Sequence, residues 1–539
     1  MYKTHIQDPA DLQARPRQRD IRRLSALFQS GDFAEAEIKA RELFEKFPKD
    51  LTLCKFLSSI LASQGKFEDA IIPLRRAIEI APKEAEFRNN LGVTLVQLRR
   101  MNEAIENYQA ALDINPNYPD ALVNLGIAMI RGGDAQGAVE KFEAALRIHP
   151  QSALALGNLG DAWHKLGNPE KAIACCRRSL EINPSSGAVY SYLGNALRAK
   201  GALNDAVAAY DRAIELLPGS PELHSNFGGL LIDLGRQDDA VAQFTQALAL
   251  NPGDPEAHYN LGNTEWTAKR YDEALNHFEQ AGTSEALTIL LEKLFRLGRN
   301  EPFHALMKKL ATVDPDNIYA ATVTAFAAHQ WDFENTFPFC RDPLRFVNVQ
   351  DLSTDIGDIE IFGKELLEQI SEAPSIWQPP GKTTTNGYQT SGNLFTLEKP
   401  ALDKLKKAIL KAVDAYPAKF PDRIDGLITQ WPKNFELTAW HVRLLKSGYQ
   451  EAHVHPTGWL SGVYYLKVPK ALSGEEGSIE FSLHGYDLPI SNSNIPTKRH
   501  SPKTGELVLF PSALFHRTIP FSNDEERHCI AFDLEPKRS

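Results

Sequence analysis

With 539 residues, 24% of them charged, and a net charge of −10, the chain has room for two or more domains. Its acidic balance argues against a nucleic-acid binder held by phosphate contacts. No run approaches about eighteen apolar residues and Met1–Asp20 lacks an apolar core with a cleavage site, so neither a membrane span nor a secretory signal is expected. The five cysteines, odd in number and never in Cys-x-x-Cys spacing, predict a reducing compartment, the cytoplasm.

In the first half, prolines recur at Pro48, Pro82, Pro116, Pro150, Pro184, Pro218 and Pro252, each thirty-four residues after the last. The packing residues keep the same period. Leu-Gly or Phe-Gly pairs begin at Leu91, Leu125, Leu159, Leu193, Phe227 and Leu261, and a small alanine recurs at Ala70, Ala104, Ala138, Ala172, Ala206, Ala240 and Ala274. Four residues beyond the alanine stands Tyr108, Phe142, Tyr210, Phe244 or Phe278. A register held over seven units, with two helices per unit, is that of the tetratricopeptide repeat. We therefore expect an all-α solenoid of seven to eight repeats over residues 14–283, opening on a degenerate unit with Phe33, Ala36 and Pro48 in phase.

Asn90, Asn124, Asn158, Asn226 and Asn260 each stand directly before the Leu/Phe-Gly pair, with Tyr192 interrupting the row. Stacked repeats place such positions in a line, and carboxamides can match the N–H and C=O groups of an extended peptide. The row resembles the asparagine ladder of the O-GlcNAc transferase superhelix, which implies a peptide or protein partner. The alternative is that these side chains satisfy helix ends or neighbouring repeats.

After Gly282 the period fails. Helical patterns at Leu287–Leu297, Pro302–Ala311 and Ile318–Ala328 read as a cap or linker over 284–335. From 336 to 539 the pattern changes. Arg345–Leu352 reads as a strand, Ile359–Ile370 and Leu402–Tyr416 as helices, and 382–387 as a polar loop. Short β-branched and aromatic runs at Leu460–Val468, Ser478–Leu483, Glu506–Phe510 and His528–Leu534 predict a sandwich or barrel, with Gly485–Ser501 as a loop near its mouth.

The chemistry-bearing residues cluster here. If 449–455 is extended, Glu451, His453 and His455 share one face, and neutral imidazoles are good ligands for a first-row metal. His516 can close the site from another strand, and Arg527 supplies a permanent cation suited to a carboxylate. Two histidines and one further ligand around an open face is the geometry of non-haem Fe(II) oxygenases. The third ligand is left open among His455, Glu451 and a solvent or halide ligand. His441, His484, His500 and His528 have no partner at ligand spacing and read as structural or exposed.

The order His453-x-His455, Ser461-Gly-Val-Tyr-Tyr465, Phe510-Pro-Ser…His516 and Glu526-Arg-His-Cys-Ile-Ala-Phe532 resembles the 2-oxoglutarate–Fe(II) oxygenases related to prolyl hydroxylases, over residues 436–534. The resemblance implies a double-stranded β-helix (jelly-roll) domain with flanking helices. It implies Fe(II) on His453 and His516, 2-oxoglutarate with its distal carboxylate on Arg527, and dioxygen as second cosubstrate. One departure is His455, where the wider superfamily usually has Asp or Glu. Tyr465 and Tyr449 are candidates to hydrogen-bond the cosubstrate. The expected function is a dioxygenase hydroxylating a peptide or protein captured by the repeats. Two alternatives are a non-catalytic repeat scaffold with a degenerate oxygenase fold, and a cupin-like metal enzyme without 2-oxoglutarate. The cupin glutamate is absent, because Trp459 and Leu460 stand where it would fall.

Overall fold

The computed structural model describes residues 16, 18–421, 424–470, 472 and 474–537; the expected opening of the repeats at residue 14 lies outside them. The chain divides into two compact units, 1–260 and 261–539.

The first unit is a run of helix pairs such as Ala85–Gln97 with Met101–Ile114 and Pro119–Arg131 with Ala135–Ile148. Starts are set locally. Asp50, Ser152 and Ser220 accept a backbone N–H three residues on, while Pro119, Pro169 and Pro221 sit in the first turn, where no N–H is needed. Ends fall just before the periodic prolines, which cannot continue a helix. Ala104, Ala138, Ala172, Ala206 and Ala240 are all 0% exposed, so the paired helices touch at backbone distance there. Except at Gly160, the glycine of each Leu-Gly or Phe-Gly pair meets the aromatic residue of the following helix. A Cβ on Gly126 would lie 2.6 Å from the Phe142 ring, and one on Gly92 would lie 2.5 Å from Tyr108. Between these repeats and the later ones, Cys176 fills the aromatic position against Gly160.

The second unit contains helices Ser284–Arg296, Asn300–Val313 and Ile318–Trp331, then two antiparallel sheets. The strands are β1 (Asn348–Asp351), β2 (Ser375–Trp377), β3 (Thr384–Thr390), β4 (Phe435–Gln450) and β5 (Leu460–Lys467). They continue with β6 (Ile479–Ser482), β7 (Thr497–His500), β8 (Glu506–Pro511), β9 (Phe515–Thr518) and β10 (Arg527–Pro536). The large sheet runs β1-β8-β5-β10-β4-β3-β2 and the small one β7-β6-β9. A bridge between His453 and His516 extends the small sheet beyond β9. Inward residues of both sheets, among them Val442, Leu444, Val463, Ile479, Phe481, Val508 and Phe510, form one core, as expected of a jelly roll with flanking helices Ile359–Ile370 and Pro400–Ala415.

Three sequence expectations need correction. Gly485–Ser501 is not loop throughout: its end, Thr497–His500, is β7, paired antiparallel with β6. Residues 382–387 are not simply a polar loop: Thr384–Thr390 is a strand paired with β2 and β4, a polar sequence recruited by two neighbours that satisfy its backbone. The expected strand over Arg345–Leu352 begins only at Asn348, because Pro343–Phe346 forms a 3₁₀ turn. The helices over 284–331 also do more than cap repeats. Thr322 donates to the Ala513 carbonyl at 2.7 Å, and Gln330 accepts from the backbone N–H groups of Ser491 and Asn492 at 2.7 and 2.8 Å. Arg296 donates to the carbonyls of Tyr486 and Asp487 at 2.9 and 3.1 Å.

Candidate metal centre

β4 and β9 run into the site from the two sheets. Just past the end of β4, the backbone of His453 exchanges both hydrogen bonds with His516, each at 3.1 Å, and His455 N–H donates to the Ser512 carbonyl at 3.0 Å. These bonds bring three imidazoles together. The ring centroids of His453 and His516 are 4.2 Å apart, with His455 5.0 and 5.1 Å away. Their candidate ligand atoms all lie within 4.8 Å of one another.

Each ring is oriented by its Nδ1–H. His453 donates to the Glu451 carbonyl at 2.7 Å, His516 to the Leu514 carbonyl at 3.2 Å, and His455 to the Asp533 carboxylate at 2.6 Å. A proton on Nδ1 leaves Nε2 with its lone pair as the ligand atom on all three rings. Nε2 of His455 is buried and has no hydrogen-bond partner among the described residues. Burial, then His455 beside it, lowers His453 to about 4. Burial, with His453 and His455 adjacent, takes His516 well below the usual imidazole range. At neutral pH these two rings are neutral, the form that binds a metal.

Glu451 is exposed and contributes its backbone carbonyl, so the third histidine of the cluster is His455. Regular strand pairing stops at Gln450, and the expected alternation through Glu451 stops with it.

The histidines line a pocket that is partly open to solvent. The same cavity holds Arg527, Tyr465, Thr518, Trp440 and Gln450. Arg527 is 2% exposed; its Nη1 donates to Thr518 Oγ1 at 3.0 Å, its guanidinium lies 5.0 Å from the Tyr465 ring centre, and Nε is unpartnered among the described residues. The Tyr465 hydroxyl is likewise buried and unpartnered, and burial pushes its ionisation well up, with Arg527 pulling back. A buried arginine with no carboxylate is costly unless an anion completes it. Tyr449 does not line the cavity. It pairs with Thr385 in the ladder, and its neighbour Gln450 takes the inward position.

Sequence reasoning passed over Asp533, Ser461, Thr518 and Trp440. Asp533 had a signal: an acidic residue within the apolar run Cys529–Leu534, in phase with Arg527, Cys529 and Ala531 on the cavity side. Trp440 stacks on His455 with ring centres 5.7 Å apart. Of the histidines read as structural or exposed, His441 and His528 contact each other at 3.1 Å and His528 reaches Glu526 at 2.9 Å. His484 bonds the Leu488 carbonyl, and His500 pairs with Glu506.

The five asparagines of the repeats are half-buried on the first helix of their units. Asn124 donates to Asn89 Oδ1 at 3.0 Å, and Asn158 to the Leu154 carbonyl of its own helix at 2.8 Å.

Comparison with known proteins agrees with both halves. Residues 438–533 match the family described as "Putative 2OG-Fe(II) oxygenase". Tetratricopeptide-repeat models match 22–85, 94–133, 120–152, 153–186, 194–231 and 227–284. No curated protein sequence matches the chain. Among solved structures, the APC/C hetero-tetramer Cut9-Hcn1 is similar at 17% identity and a TM-score of 0.40, over 48% of this chain and 51% of that one, so the chain spans about half of its length. A tetratricopeptide-repeat protein from Parabacteroides merdae matches at 19% identity and TM-score 0.40, over 46% of this chain and 98% of that one. A thermophilic one from Thermus thermophilus matches at 25% identity and TM-score 0.31, over 35% and 98%. The chain thus carries tetratricopeptide repeats followed by a C-terminal region, residues 438–533, that is similar to the family described as "Putative 2OG-Fe(II) oxygenase".

Proposed function

We propose that the protein is a 2-oxoglutarate- and Fe(II)-dependent dioxygenase that hydroxylates a peptide or protein held by its repeats. One observation carries the reading: three inward imidazoles and a buried arginine with no carboxylate partner among the described residues line the same cavity. Nε2 of His453, His455 and His516 would hold the metal, leaving an open face. Arg527, with Tyr465 and Thr518 beside it, would bind the distal carboxylate of 2-oxoglutarate through charge-assisted hydrogen bonds. Trp440 and the apolar walls Val463, Ile479 and Phe510 exclude water around these groups. Fe(II) with 2-oxoglutarate would supply the oxidation of a substrate C–H bond by dioxygen, coupled to decarboxylation to succinate. Arg527, buried with no carboxylate partner among the described residues, disfavours the cupin-like alternative, which gives it no role. The asparagine row remains our candidate for gripping an extended segment, and a reducing compartment such as the cytoplasm suits both Fe(II) and free thiols.

The test is anaerobic reconstitution with Fe(II), followed by air and 2-oxoglutarate. Succinate formation dependent on all three supports the reading. Metal binding with no 2-oxoglutarate consumption, even after peptides are supplied, contradicts it and favours a cupin-like metal enzyme over the non-catalytic scaffold.

A further inference from the structure

The three histidines are not equivalent. His453 and His516 lean on neutral backbone carbonyls, whereas His455 Nδ1 lies 2.6 Å from Asp533 Oδ2. That carboxylate is 6% exposed, and its other oxygen accepts from Ser461 Oγ at 2.7 Å. Ser461 Oγ is in turn 2.8 Å from Ser512 Oγ, and Ser512 also gives its backbone carbonyl to His455 N–H. Room for this arrangement depends on Gly458, where a Cβ would come within 2.7 Å of Ser512 Oγ and 3.3 Å of the Asp533 carboxyl carbon. With Trp440 stacked on the ring, His455 is fixed in one tautomer and one plane, its bare Nε2 turned into the cluster.

Resting on the reading of His453, His455 and His516 as metal ligands, we propose that Asp533 is a positioning residue for the metal. It supplies, one ring behind His455, the negative charge that Asp or Glu would otherwise bring into direct contact. Three neutral imidazoles leave a divalent ion at +2. A carboxylate hydrogen-bonded to one of them fixes its tautomer, raises its donor strength and compensates one charge. Removing such a partner typically costs about 10- to 100-fold in metal affinity. The His-x-His pattern then retains the charge of the His-x-Asp pattern, moved outward by one imidazole.

The experiment is anaerobic Co(II) titration of the full chain, read by visible absorption, with thermal melts of each metal-free variant as a control for folding. Asp533→Asn keeps an acceptor for Nδ1–H but removes the charge, and is expected to weaken Co(II) binding about 10- to 100-fold. Ser461→Ala leaves Asp533 in place but unclamped, and is expected to give a smaller loss in the same direction. It keeps the proposal testable if Asp533→Asn does not fold. Adding His455→Asp to Asp533→Asn, which puts the carboxylate back beside the metal, is expected to recover affinity. A purely structural role for Asp533 predicts a further loss instead. If the parent binds no Co(II), the metal reading fails and this proposal with it. If the parent binds and Asp533→Asn and Ser461→Ala bind within about twofold of it, the proposal alone is overturned.

Discussion

Arg527 is the residue whose surroundings ask most for a ligand. Its neighbours are a hydroxyl, an aromatic face and apolar walls, none of which balances its charge. Loss of a charge-assisted pair in such a site costs on the order of 2–5 kcal/mol. Arg527→Gln should therefore raise the 2-oxoglutarate requirement well over tenfold while metal affinity is unchanged, measured as apparent affinity beside a metal titration. An unchanged requirement would show that another group holds the carboxylate. His453→Ala and His516→Ala should each abolish metal binding without loss of the fold, since the strands that carry them pair through their backbones. The two rings also set a pH dependence. Their folded values lie below the unfolded one, so the unfolded chain binds more protons between about pH 6.5 and 4. Stability of the metal-free protein from these groups is complete above pH 6.5 and falls as pH drops through that window, and His453→Gln should flatten the slope in a pH series of melts. His453, His516 and Arg527, singled out by residue type and spacing, lie together in one pocket. Tyr449 sits within β4 while its neighbour Gln450 faces the cavity, and Asp533 was missed because its partner is distant in sequence.

Elements whose pattern is apolar and periodic were read almost to their ends, while polar elements depended on their neighbours. The repeat helices follow from Ala and Gly positions, and the steric reason is local. Gly126→Ala would push a methyl into the Phe142 ring, and overpacking of this kind typically costs about 1–3 kcal/mol. A lowered denaturant midpoint would record it, and no change would mean that the Phe142 ring yields freely. β3 was hidden because Thr-Thr-Asn-Gly gives no alternation, and its pairing with β2 and β4 decides the matter. The stretch after β6 carries its own strain: Tyr486 and Asp487 have φ of 51° and 52°, left-handed values that suit glycine better. Arg296 holds both their carbonyls, and the Tyr486 hydroxyl accepts from Val454 N–H at 3.3 Å, between His453 and His455. Each hydrogen bond from Arg296 is worth roughly 0.5–1.5 kcal/mol. Arg296→Ala should therefore lower both the melting temperature and, through Tyr486, the metal affinity; a change in melting alone would uncouple the helix from the site.

At the scale of the whole molecule, the division at residue 261 puts the helices 284–331 with the sheets, bonded to them through Thr322, Gln330 and Arg296. Sequence could not show this, because a failing repeat period says where a solenoid stops and nothing about what its last helices pack on. The asparagine row raises the corresponding question for the first unit. Asn124 already spends a donor on Asn89, so its part in a ladder is partly structural. If the row grips a peptide backbone at roughly 0.5–1.5 kcal/mol per bond, changing Asn90, Asn158 and Asn226 together to Ala should cut peptide retention by a factor between about ten and a few thousand. 2-Oxoglutarate turnover without peptide should be preserved. Loss of both would assign the asparagines to the fold. The central claim rests on the second unit, and its most direct measurement is succinate released from 2-oxoglutarate by the full chain with Fe(II) in air, beside Arg527→Gln and His453→Ala at the same cosubstrate concentration. Turnover by the parent is expected, with recovery of Arg527→Gln only at much higher 2-oxoglutarate and none by His453→Ala at any concentration. Equal succinate from all three, or none from a metal-loaded parent supplied with peptides, would contradict that claim.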